Sequence, residues 1–222
     1  MSEALVWDQI GEREYETGVD KTALFPMSGS SYGKGVAWNG VTQITESPSG
    51  GEPTSLYADN IKYLTMYSLE EKGGTIECYT YPDEFKPCNG EAALTTGVTV
   101  GQQTRKAFGL AFETIVGNDT DGDDHGRKLH LIYGCKVKPS EETHQTVNDS
   151  PSASTLSYEF STTPVAVTDH KATSSVVIDS TEVGDTAFKA IEKVVYGSTD
   201  ADARLPLPDE VKSIIDEALA GE

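Results

Sequence analysis

Positive charge is scarce in this chain: 17 Lys and Arg stand against 36 Asp and Glu, a formal net charge of −19 over 222 residues. A surface that grips phosphates needs clustered Lys and Arg to displace counterions, so the balance argues against nucleic-acid binding. The plain reading of the excess acid is solubility. The sharper reading is a surface that must not stick to DNA. Long apolar runs are missing as well, and none approaches the roughly 18 residues a membrane span requires. Residues 1–18, MSEALVWDQIGEREYETG, are acidic and hold no apolar stretch that would serve as a secretory signal. Cysteine is sparse: Cys78, Cys88 and Cys135 are an odd number without CxxC spacing, which fits a reducing compartment. His125, His130, His144 and His170 show no metal-ligand spacing, and the odd separation of His130 from Cys135 points them to opposite strand faces. No cofactor is expected.

What is present is alternation. In residues 128–138, KLHLIYGCKVK, one face carries Leu129, Leu131, Tyr133, Cys135 and Val137. The other carries Lys128, His130, Gly134, Lys136 and Lys138, with Ile132 as the exception. That period of two predicts a half-buried antiparallel strand with one wet face. Residues 106–116 place Phe108, Leu110, Phe112, Thr114 and Val116 on one face, and residues 155–163 do so with Leu156, Tyr158 and Phe160. The expectation is a three-stranded meander whose first connection is the polar loop 117–127.

Around this centre, residues 1–20 read as an N-terminal arm, and residues 21–222 as one domain. Asn39-Gly40 predicts a hairpin between residues 35–38 and 41–45. Residues 46–53, ESPSGGEP, read as a loop continued by 54–60; residues 61–69 read as a strand of mixed faces, and 75–81 as a cleaner one with Ile76 and Cys78 inward. Residues 82–90 are irregular, and 139–154 form a long polar connection. A short strand at 174–179 precedes a helix capped by Asp185, carrying Phe188, Ile191, Val194 and Val195 and stopped by Gly197. A last helix follows Pro208, with Val211, Ile214, Ile215, Ala218 and Leu219 on one face. The fold class is mainly β (α+β), with one or two flanking helices near the C-terminus.

Chemistry is hard to assemble from these residues. Gly29-Ser30-Ser31-Tyr32-Gly33 matches G-x-S-x-G, but a nucleophile elbow needs a strand before it and a helix after it, and a strand-like segment follows here. Gly33-Lys34 lacks the first glycine and the Ser/Thr of a P-loop. Residues 118–126, NDTDGDDHG, miss the calcium-loop template, since from Asp119 the Gly falls fourth and His130 stands twelfth. Asn118-Asp119-Thr120 and Asn148-Asp149-Ser150 are formal sequons that mean little without a secretory signal. No catalytic residue is assigned. The long polar loops are uneconomical for a lone monomer and read as contacts between copies.

Residues 32–48 (YGKGVAWNGVTQITESP), 57–63 (YADNIKY), 79–85 (YTYPDEF), 101–109 (GQQTRKAFG), 117–126, Pro139-Ser140, 161–164 (STTP) and 204–211 (RLPLPDEV) resemble, in one order, segments of a major tail protein. This is the tail tube subunit of long-tailed, non-contractile bacteriophages. The resemblance runs from about Lys21 to Val211. It implies an antiparallel β-sandwich or barrel-like tail tube fold. It further implies homohexameric rings that stack into a tube for double-stranded DNA ejection, without specific binding to that DNA. Partners implied are the tape measure protein, the tail terminator and distal tail or baseplate proteins. The localisation implied is the virion tail, assembled in the bacterial host cytoplasm, with no membrane.

Closing rings and stacking them needs contact elements, and head-to-tail interfaces that close give rings. Glu46, Ser47, Pro48, Ser49, Gly50, Gly51, Glu52, Pro53, Tyr57 and Asp59 are the expected inter-subunit contacts, because such segments order only where a neighbour contributes. The face bearing Lys128, Lys136 and Lys138 would repel duplex DNA poorly and is not assigned to the lumen. Two other readings stand beside this one: the inner tube of a contractile tail or injection machine, and a β-sandwich module binding receptor or carbohydrate on the virion.

Overall fold

The computed structural model describes residues 4–144, 146 and 153–221. The Asn148-Asp149-Ser150 sequon and part of the 139–154 connection lie outside the described residues. In chain order the strands and helices are β1 (Glu14–Ser28), β2 (Ser31–Tyr32), β3 (Val36–Ala37), β4 (Val41–Gly50), β5 (Pro53–Ala58), β6 (Ile61–Tyr67), β7 (Glu70–Cys78) and α1 (Lys86–Asn89). There follow β8 (Ala92–Thr95), β9 (Val98–Val100), β10 (Phe108–Asn118), β11 (Gly122–Val137), β12 (Leu156–Ser161), β13 (Ser175–Asp179), α2 (Ser180–Val183), α3 (Asp185–Val195) and α4 (Pro208–Ala220). The protein is mainly antiparallel β. The main sheet runs β2-β1-β10-β11-β12-β7-β4, with β3 added to β1 and β13 to β11.

The expected meander is present as β10, β11 and β12, but its two sides are not one dry and one wet. Phe108, Leu110 and Phe112 of β10 join Ile132, Cys135 and Val137 of β11, Tyr158 and Phe160 of β12, and Ile76 and Cys78 of β7 in one interior. Leu129, Leu131 and Tyr133 point the other way, with Ala111 and Ile178, onto Phe188, Ile191 and Val195 of α3 and Val211 of α4. The single face drawn through Leu129, Leu131, Tyr133, Cys135 and Val137 is therefore corrected. The phase switches at Gly134, whose φ is 62°. There the register against β10 slips between Leu110↔Ile132 and Phe108↔Cys135. A left-handed residue inserted in one strand is a β-bulge, and it turns the following side chains over. Only glycine fits, since a Cβ would meet the Thr163 carbonyl oxygen at 2.3 Å. Ile132, the exception to the alternation, is an interior residue.

The helices follow from what the sheet leaves uncovered. Asp179 caps α2 by accepting the Thr181 N–H at 2.9 Å, and α3 then starts after Gly184, with Asp185 in its first turn rather than at the cap. Pro208 opens α4 at a first-turn position, where its missing N–H costs nothing. The helices turn apolar stripes onto the outer face of β10 and β11, each large side chain contributing about 1.5–3 kcal/mol by burial. On the other side, the turn at Asp83–Phe85 drives Phe85 into the interior, 4.4 Å from the Trp38 ring centroid and 5.0 Å from Tyr158. The stretch 82–90, expected to be irregular, is instead a helical plug: a single turn at Asp83–Phe85 running into α1.

Three further expectations change. β1 crosses residue 20, and Glu14–Thr17 pair with Ile115–Asn118, so strand begins within the expected arm. Asn39-Gly40 does not join a hairpin: β3 pairs with β1, and β4 with β7. The Trp38 indole, donating to the Thr80 carbonyl at 2.8 Å, pulls the chain from one partner to the other. The loop 117–127 shrinks to a turn, since Asn118 already pairs with Gly122. No helix of the described residues is long and apolar enough to cross a membrane.

Leu131→Asp should abolish cooperative thermal unfolding, because it buries an unpaired carboxylate between β11 and the helices at a cost of several kcal/mol. A soluble Leu131→Asp protein with a sharp melt would contradict the two-sided burial of β11.

Candidate assembly surface

Residues 46–60 are strand rather than loop. β4 pairs with β7 out to Gly50↔Glu70, and β5 then pairs with β6 from Pro53↔Tyr67 to Ala58↔Ile61. The turn is Asp59-Asn60, both left-handed at φ 50° and 62°, the geometry of a two-residue hairpin. Gly50 and Gly51, at φ 79° and 69°, carry the chain from β4 into β5, and a Cβ on Gly50 would lie 2.1 Å from the Leu69 carbonyl oxygen. The result is one long two-stranded ribbon. Its root, at Val41, Ile44, Ile76 and Cys78, packs on the interior; from Ser47 outward β4 and β5 are largely exposed. About a dozen residues per strand project, roughly 40 Å at ~3.3 Å per residue.

The outer ribbon is apolar on both faces. Leu56 lies opposite Leu64, with Met66 beyond it, on one face. Tyr67 lies on the other, 72% exposed; Tyr63, at the register shift, is 70% exposed, with Tyr57 near the tip at 73% and Leu69 at the bend at 89%. A two-stranded hairpin is marginal alone in water. An exposed apolar surface of this extent marks an interaction site.

The expected contact residues are therefore divided. Ser47 to Pro53, Tyr57 and Asp59 all lie on the projecting ribbon. Glu46 does not; it sits at the root in a polar cluster. Ile61, Tyr63, Leu64, Met66, Tyr67 and Leu69 are exposed on the same ribbon and are not among the expected contacts. Their signal was the apolar content of both faces of residues 61–69, read only as a strand of mixed faces.

The root cluster bridges the two margins of the open sheet. His130 stacks on Phe112 with ring centroids 4.5 Å apart and planes 3° from parallel. Its Nε2 lies 3.1 Å from Thr114 Oγ1 and 3.5 Å from Glu16 Oε1 on β1; its Nδ1 lies 3.7 Å from Glu46 Oε1 on β4. Lys72 also pairs with Glu46. Between these margins, where β1 and β4 form no ladder, is a slot of about 400 Å³. The His130 imidazole, with Lys72 and against partial burial, holds the Glu46 carboxyl down at about 2.

A second buried cluster ties β10 to α3. Glu113 is fully buried; its Oε2 lies 3.1 Å from Lys21 Nζ and 3.7 Å from Arg127 Nη1, and Lys21 Nζ reaches Glu192 Oε1 at 2.6 Å. Lys21 is aimed inward by bulges in β1 and by its own φ of 48°. Burial pushes the Glu113 carboxyl up to about 7, with Glu192 adding to the rise and Lys21 opposing it.

Ser31 lies on β2 after a tight turn, its hydroxyl donating weakly to the Ser28 carbonyl at 3.4 Å, so G-x-S-x-G stands in a strand–turn–strand context. In the turn of residues 118–122, Asn118 Oδ1 accepts the Thr120 and Asp121 N–H groups. Among the described residues, no group of three or more His, Cys, Asp or Glu is placed to hold a metal ion. No protein-family model matches the chain, and neither does any curated protein.

The two carboxylates predict opposite pH dependences. Glu46, depressed when folded, contributes stability that is present above about 4.5 and lost as pH falls toward about 2. Glu113, raised when folded, contributes stability that is present below about 4.5 and lost as pH rises through about 7. Urea melts of Glu113→Gln should therefore lose the decline between pH 5 and 8, on the order of 2 kcal/mol. Those of Glu46→Gln should lose part of the acid decline instead. An unchanged pH profile in either variant would remove that group from the account.

Proposed function

We propose that this chain is a structural virion protein, the tail tube subunit of a long-tailed, non-contractile bacteriophage, assembling into hexameric rings stacked as a channel for double-stranded DNA. The observation that carries the reading is the ribbon: an element with apolar side chains on both faces and no layer over them among the described residues. The ordered resemblance of the sequence strings supports it over nearly the whole chain. An open antiparallel sheet supports it too, because exposed edges must be covered or paired, and a neighbouring copy does both. The net charge of −19 suits a wall past which DNA slides without binding.

On this reading the protein is not an enzyme and holds no cofactor. It meets a tape measure protein inside the tube, a terminator at one end and distal tail proteins at the other. Its place is the virion tail, after assembly in the host cytoplasm. The inner tube of a contractile tail would use the same ribbon, and a sheath gene beside this one separates the two. One observation favours a different reading. Tyr57, Tyr63 and Tyr67 are exposed along the outer ribbon, and exposed aromatic rings also stack on sugar rings.

Replacing residues 51–69 by Asn-Gly joins Gly50 to Glu70 through a two-residue turn and leaves the ribbon root paired. The variant should keep a cooperative melt within a few degrees of wild type, while negative-stain microscopy shows tubes for wild type and none for the variant. Long, regular tubes from the variant would contradict the proposal. A wild type that binds glycans and forms no rings would favour the carbohydrate-binding module.

A further inference from the structure

Residues 4–13 form no helix or strand, yet they carry Leu5, Val6, Trp7 and Ile10, exposed by 77%, 67%, 74% and 82%. The segment is held from Asp8 onward: the Gly11 N–H donates to Asp119 Oδ1 at 2.8 Å, Asn118 Nδ2 approaches the Gly11 carbonyl at 3.5 Å, and Arg13 Nη2 donates to the Asp8 carbonyl at 2.7 Å. Elsewhere on the molecule lies a groove of about 700 Å³ between the bulged part of β1, the edge strand β3 and the last turn of α3. Val19, Val36 and Ala37 give one side an apolar wall; Asp20, Lys21, Lys189 and Glu192 line the rest, with Lys193 at the rim.

We propose that this groove receives the Leu5–Trp7 stretch of a second copy of the chain, with Asp8 of the incoming segment pairing with Lys193. The proposal rests on the self-assembly argued above but not on a tube geometry. Three observations converge on a second copy as the occupant. Apolar content matches apolar wall: an indole with its aliphatic neighbours suits a groove of that size and lining. Charge matches charge, since neither Asp8 nor Lys193 has an ion-pair partner among the described residues. Reach excludes the segment's own groove. Trp7 is four residues from the Gly11 tether, at most about 14 Å of chain. The strand from Glu14 to groove-lining Asp20 alone runs roughly 16 Å away from that tether, since its bulges leave it opposite five residue steps of β10 at ~3.3 Å each. A segment that cannot fill its own groove and can fill a neighbour's gives a head-to-tail contact, the kind that closes rings or extends filaments.

Tryptophan emission reads this contact directly, because Trp38 is buried and Trp7 is exposed. In dilute full-length protein, acrylamide should quench Trp7 and spare Trp38. As concentration rises, Trp7 should become protected and its emission should move to the blue. Trp7→Ala, removing the central anchor, should raise the concentration for self-association more than tenfold. Asp8→Lys and Lys193→Asp should each raise it about threefold, as befits a rim ion pair, and the two together should restore it. The proposal is overturned if Trp7 stays quenchable at every concentration, if Trp7→Ala associates like wild type, or if the double exchange fails to restore association. A wild type that protects Trp7 in small oligomers and never builds tubes would leave this docking standing and remove the tail tube reading.

Discussion

The structure depends on burying β10 and β11 on both faces at once. Each strand gives alternate side chains to an interior shared with β7 and β12 and the rest to α3 and α4. Neither layer suffices by itself: without the helices Leu129, Leu131 and Tyr133 would face water, and without the curled sheet Phe108, Leu110 and Phe112 would. Gly134 makes the arrangement compatible with one continuous strand, since its left-handed φ resets the alternation where helix cover ends. The hydrogen bond from the Gly134 N–H to the Tyr32 hydroxyl at 2.9 Å fixes that reset. Tyr133 adds another, donating to the Pro206 carbonyl at 2.9 Å and tying the sheet to the approach of α4.

Two-sided cover stops where the sheet does. β4 and β7 leave the interior at about Ser47 and Gly73 and continue as a ribbon that no other described element covers. β1 and β4, the margins that would close the sheet, form no ladder and are bridged by side chains around His130. Cover missing from one copy is thus concentrated in three places: the ribbon, the unpaired margins and the apolar stretch before Gly11. A repeating assembly can cover all of them with its own surface. A formal net charge of −19 opposes non-specific association of such surfaces.

Much of the fold was legible because alternation reports burial. Ile76, Cys78, Tyr158 and Phe160 read as inward and are inward; the stripes of α3 and α4 read as apolar and bind the sheet. What escaped was set by partners distant in sequence. Nothing local to Asn39-Gly40 says that β3 belongs with β1 and β4 with β7, since that choice depends on Trp38 reaching the Thr80 carbonyl. Ser, Pro and Gly at 47–53 have low strand propensity, so pairing with residues 67–73, not composition, makes them extended. At the candidate surface, the ribbon's near strand was picked out for its polarity. The apolar far strand carries the exposed surface, and its sequence reads only as a strand of mixed faces. Glu46 looked like a loop carboxylate and is a root group, because burial against His130 depends on contacts far along the chain.

The central claim is that the ribbon is completed by another copy of the chain, and backbone hydrogen exchange tests it most directly. In dilute protein the amides of β5 and β6 should exchange far faster than those of β10 and β11, because a two-stranded ribbon opens locally at little cost. After self-association the same β5 and β6 amides should slow by about a hundredfold or more, while the core amides change little. Equal protection of β5 and β6 in the dilute and associated protein would contradict the account.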